Sequence, residues 1–255
     1  MNSMNQLRSS RDCIEHAQYR INELEAACLS FANTSPYVHV VDINADGTQD
    51  SHKIKLAKPL PRKISMIAFE ILVILRSALD QAGHAVAKAT HKRGRHAKFP
   101  FGDSLPNVRS LHARGSRDLP NEIFDLMTAS GPYPGGNDIL WAINHLANTN
   151  KHEIIVPSVV TIGAFSTESV KVPGRLISLR IPPKWDSAND EMELVVVARG
   201  EHVEYNCKFG MFIALADIDF LKRTPAQAAL LQMKDIVNSL VVAIEAEARR
   251  LGIFT

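Results

Sequence analysis

Cysteine is scarce in this chain. Its 255 residues include three, Cys13, Cys28 and Cys207, and no two of them form a CxxC pair. That excludes a disulfide framework and argues against a cysteine-built zinc site. Long apolar runs are missing too. The most apolar stretch, 64–75, spans 12 residues, contains Glu70 and stops before Arg76, so it is too short to cross a bilayer. The first residues run through Asn2, Ser3, Asn5, Arg8, Arg11 and Asp12 with no apolar core of a secretory leader. Phosphate-loop, dinucleotide, zinc-protease and serine-hydrolase fingerprints are absent as well, so neither a cofactor nor a metal is expected. These absences predict a soluble, cytoplasmic protein with reduced thiols and no membrane partner.

What is present reads as an ordinary globular chain. Hydrophobic residues make up 45% and charged residues 22%, enough to bury a core without staples. Net charge is only +2, but it is unevenly spread. Between Lys88 and Arg117 stand eight Lys or Arg against the single acid Asp103, a net +7, which leaves −5 for the rest of the chain. A local excess of this kind is the electrostatic footprint of a phosphate-binding surface, or of a solvated loop.

Periodicity predicts the elements. Leu7, Ile14, Ala17, Ile21, Leu24 and Leu29 recur at helical spacing, giving a helix over 7–32. Val38 to Ile43 and Lys53 to Leu56 flank the turn Asn44-Ala-Asp-Gly47 and form a hairpin within 37–57. Helices follow over 62–91, 119–129 and 137–152, the last with Asn137 as its N-cap. Segments 154–162, 176–181, 192–197 and 203–215 are rich in β-branched and aromatic residues and read as four antiparallel strands in a sheet layer over 153–218. A helix at 224–252 closes the chain, with the stripe Ala226, Leu230, Met233, Val237, Leu240 and Ile244. The expected fold is α+β. A helical bundle over 7–152 with an inserted hairpin, a four-stranded antiparallel sheet and a returning helix make one compact domain over 1–255.

Three constellations carry candidate chemistry. Arg76, Asp80 and His84 lie four apart on one helix face. A carboxylate can orient an imidazole, and a guanidinium can grip phosphate; the same spacing also suits a plain intrahelical ladder. Asn148, Lys151 and His152 form a second polar helix end, which equally suits the helix dipole. Lys92, Arg93 and Arg95 head the basic segment, and Phe99 and Phe101 follow, either to stack on bases or to anchor the loop. The desolvation cost of a mid-helix arginine predicts that Arg76, Asp80 and His152 share one polar cluster, with His84 at its edge.

Four segments in order, Leu75-Arg-Ser-Ala-Leu-Asp80, Phe99-Pro-Phe101, Gly131-Pro-Tyr133 and Asn148-Thr-Asn-Lys-His152, resemble a group of uncharacterised bacterial proteins over about residues 60 to 155. The helix motif of that group in turn resembles the HEPN superfamily. The resemblance implies a helical bundle, a homodimer and RNA as partner, with an Arg followed by four to six residues and a His as catalytic motif. Arg76 matches the Arg; Gln81 stands where the His falls at the shortest spacing, and His84 lies after seven intervening residues. Two functions follow. One is an RNA-binding or protein-binding module with a degraded motif. The other is a metal-independent ribonuclease, in which Arg76 stabilises the phosphate and His84 or His152 acts as general acid or base. The departures at Gln81 and His84 favour the first.

Overall fold

The structure is a computed structural model, and it describes residues 6–149, 158–179, 185–186 and 188–255. It mixes helices with antiparallel strands, and the chain divides into two compact units. The described residues of the first are 6–25, 65–149 and 227–255; those of the second fall within 26–64 and 158–226.

The first unit is helical. Helix α1 covers Arg8–Ala32 and helix α2 covers Arg62–Ala89, each entering this unit over part of its length. Helices α3 (Leu105–Ser110), α4 (Asn121–Ala129), α5 (Asp138–Thr149) and α6 (Ala226–Arg250) complete it. The expected stripe of α1 is buried at Leu7, Ile14, Ala17, Ile21 and Leu24, whereas Leu29 is 58% exposed. Helix α2 buries Ile67, Ile71, Leu72, Leu75, Ala78, Leu79, Ala82 and Val86 almost completely. Each fully buried Leu or Ile among them contributes roughly 1.5–3 kcal/mol.

On α6 the stripe Ala226, Leu230, Met233, Val237 and Ile244 is buried, but Val241 takes the place expected for Leu240. A helix turns every 3.6 residues, so a 4-3 count drifts by one position over several turns. Lys234 donates to Gln18 (2.9 Å), and Arg11 pairs with Glu245, tying α6 to α1. Arg20 pairs with Glu70, tying α1 to α2. By length and apolarity α6 alone among the described helices could cross a membrane. One face of it is buried, and its Glu245 pairs with Arg11 of α1.

The second unit carries the strands. The hairpin β1 (Tyr37–Ile43) and β2 (Gln49–Leu56) pairs in register from Tyr37↔Leu56 to Ile43↔Asp50. Its turn is closed by Asn44 and Asp46, whose carboxamide and carboxylate oxygens accept the Thr48 N–H, both at 2.9 Å. The remaining strands are β3 (Ser158–Lys171), β4 (Leu176–Leu179), β5 (Trp185–Asp186), β6 (Glu191–Ala198) and β7 (Glu204–Leu215). The single four-stranded sheet expected from the sequence is not what forms. β2 pairs with β6, giving the order β1-β2-β6-β4 with β5 also on β6, while among the described residues β3 and β7 pair only with each other. The alternation of side chains specifies which face a strand buries and leaves its neighbour open.

Candidate functional site

The site is built where the basic segment returns along α2. That helix ends in a left-handed residue, His91 (φ 61°). The Lys92 N–H then reaches the Ala87 carbonyl (2.9 Å), and the His91 N–H reaches that of Lys88 (3.1 Å). This is a Schellman closure with a histidine where glycine is usual. The chain reverses and runs back beside the helix it has just left.

Three contacts seat the returning chain on α2. Gly94 (φ 74°) presents its carbonyl oxygen 3.3 Å from His84 Nδ1. The positive φ favours glycine here, and a Cβ would stand 2.5 Å from the same ring nitrogen, so the His84 ring would have to turn aside. Next to His84 in the helix, Gly83 lets the Ala97 carbonyl press against the helix backbone. Asp80 Oδ1 then accepts the Phe99 N–H at 2.9 Å.

The segment is held from its other side as well. The His96 N–H donates to Asp118 Oδ2 (3.2 Å), and the Asp118 N–H donates to the His96 carbonyl (2.8 Å). The Ser116 hydroxyl donates to the Lys98 carbonyl (2.8 Å), and the Lys98 N–H reaches Gly115 O (3.3 Å). Ala97 and Phe99 are buried, and the Phe99 ring packs 4.9 Å from that of Phe101. Phe99 therefore anchors the loop and offers no face for a base.

Between α2 and this segment lies an open cleft of about 220 Å³, lined by Asp80, Gln81, His84, Gly94, Arg95, Ala97 and Lys98. Burial pushes the Asp80 carboxyl above its ordinary value; the Phe99 N–H, Arg76 and Lys98 oppose that rise. Lys92, Arg93, Arg95 and Lys98 are exposed. Among the described residues none of these four has a carboxylate within 4.0 Å.

The structure thus brings together three residues singled out from the sequence: Asp80, His84 and Arg95. Lys92 and Arg93 belong to the same loop without lining the cleft. Arg76 does not line it either, and no ion pair joins Arg76 to Asp80. Its Nε is buried with no partner among the described residues. The local ladder expected from the four-residue spacing gives way to a tertiary contact, because Asp80 accepts the Phe99 N–H instead. Asn148 spends its amide on Asn144 one turn back (2.9 Å), beside the stacked pair Trp141–His145. Lys151 and His152 lie outside the described residues.

Sequence reasoning gave no site role to Gln81 or Gly83, and placed Lys98 and Gly94 only within the basic segment as a whole. The signal for Gly83 was an isolated glycine inside a strong helix pattern, which costs about 1 kcal/mol against alanine and so asks for a packing reason. Among the described residues no three His, Cys, Asp or Glu side chains are placed to hold a metal ion. Comparison of the chain with family models, with curated proteins and with solved structures gives no match. The site is therefore read from its own geometry.

Proposed function

We propose that the protein binds single-stranded RNA along its basic loop without cutting it. The observation that carries this is the loop's construction. Its backbone is bonded to α2 on one side and to residues 115–118 on the other, while its cationic side chains stand in solvent. A loop already ordered loses little conformational freedom on binding, and unpaired cations release counterions from phosphates. The cleft beside it has room for an unstacked base, which a duplex does not present. The HEPN-like segments point to the same class of partner and to a homodimer.

Arg76 outside the cleft, and Asp80 engaged by the Phe99 N–H, weigh against cleavage. A ribonuclease reading has one observation in its favour. When His84 Nδ1 donates to Gly94 O, its Nε2 is left as a base at the cleft. The test is fluorescence anisotropy of a labelled uridine nonamer at about 50 and 200 mM salt, followed by a gel of the same RNA. Binding that weakens with salt and leaves the RNA intact supports the proposal. Cuts that vanish in His84→Ala support the nuclease. No binding at the lower salt removes both.

A further inference from the structure

The lining of the cleft is chemically uneven. Its cations, Arg95 and Lys98, come from the loop; its acid, Asp80, comes from the helix; and Gln81 and His84 flank that acid. A surface meant only for phosphates has no use for a carboxylate, which repels them. Asp80 also spends only part of its capacity on the protein. Oδ1 takes the Phe99 N–H, and a carboxylate has about four acceptor positions in all. A ligand that satisfies the whole cleft must carry N–H donors for Asp80 and negative charge for Arg95 and Lys98. A guanidinium from another protein meets the first demand, but the basic rim repels it.

We infer that the cleft is a guanine-nucleotide site, in which Asp80 accepts the N1–H and N2–H donors of the base while Arg95 and Lys98 hold its phosphate. Guanine is the one common base with two adjacent N–H donors on a single edge. Adenine and cytosine place a bare ring nitrogen beside their amino group, and that lone pair would face the carboxylate. Uracil has one N–H between two carbonyls. Gln81 carries an amide donor suited to guanine O6. The cleft's volume of about 220 Å³ suits one base and not a stack of them. Asp80 acts here as a specificity-determining residue, and this inference rests on the RNA-binding reading given above.

The experiment compares labelled RNA nonamers of uridine with a single central G, A, C or U, and adds 5′-GMP alone as a separate arm. Both use the full chain, with binding followed by anisotropy for the RNAs and by calorimetry for the nucleotide. The G nonamer should bind about tenfold or more tighter than the other three. Asp80→Asn keeps a carbonyl oxygen for the Phe99 N–H and loses the second acceptor. It should erase the preference, bringing the four nonamers to within about twofold of one another. A melting curve reports whether that variant is folded; if it is not, the wild-type ranking alone decides. Equal affinity for all four nonamers overturns the guanine site and leaves RNA binding standing. Binding of 5′-GMP with none of the nonamers keeps the site and overturns RNA as its source. No binding in either arm overturns both.

Discussion

Gly83 and Ala97 meet backbone to backbone. A Cβ added to Gly83 would stand 2.2 Å from the Ala97 carbonyl oxygen, closer than real Cβ atoms come. The basic loop can therefore lie on α2 only because position 83 of the helix carries no side chain.

That contact reverses a familiar sign. Glycine to alanine inside a helix normally stabilises by roughly 0.5–1 kcal/mol. Here Gly83→Ala must push the loop away, and overpacking of this kind costs roughly 1–3 kcal/mol. Urea unfolding should show a net loss of stability, and RNA affinity should fall with it. A more stable Gly83→Ala protein would show that the loop is free to move off the helix.

Arg76 permits a separation of roles. Its Nε is buried without a partner among the described residues, and it does not line the cleft. Arg76→Met keeps most of the aliphatic stem and removes the orphan donor. The melting temperature should hold or rise, and affinity for the uridine nonamer should stay within about twofold. A loss of binding in a folded variant would put Arg76 on the RNA.

Asp80 makes stability depend on pH in the acid range. Burial raises its folded value above the ordinary one, so between the two values the folded state holds more protons than the unfolded state. Stability must then fall as pH rises through that window. The Asp80→Asn curve, set against the wild type from about pH 3 to 7, should lack this fall. Parallel curves would show that Asp80 is no more strained than in the unfolded chain.

His52 works in the opposite sense. It is 9% exposed and stacked 5.3 Å from His39. Burial, with His39 adding to it, holds its value below the ordinary one, and Asp50 opposes them. In the window below the ordinary value the unfolded chain binds the extra proton, so stability is full above that window and drains away as pH falls through it. His52→Leu should flatten the wild-type loss between about pH 7 and 5. An unchanged slope would assign the loss to another group.

Assembly is the last expectation. A homodimer predicts a scattering mass of twice the 28.2 kDa chain at micromolar concentration. A mass of one chain removes the dimer and leaves the cleft as it is.

The long helices and most strands were legible because their signals are local; the short α3 and β5 were not expected. The spacing of Leu7, Ile14, Ala17, Ile21 and Leu24 places one face of α1 in a core whatever that face meets. The alternation in β2 likewise buries Asp50, His52 and Ile54. Partners are another matter. Nothing in Gln49–Leu56 says that β6 will lie beside it rather than β3. Helix spacing alone offered Asp80 the guanidinium four residues back, the nearest group its own chain supplies. The N–H it accepts belongs to Phe99, 19 residues on. That choice was made where the loop reversed at His91 and came down on Gly83. A hydrogen bond between segments exists only once both are placed, so composition and spacing could nominate Asp80, His84 and Arg95, while tertiary structure alone gathered them around one cleft.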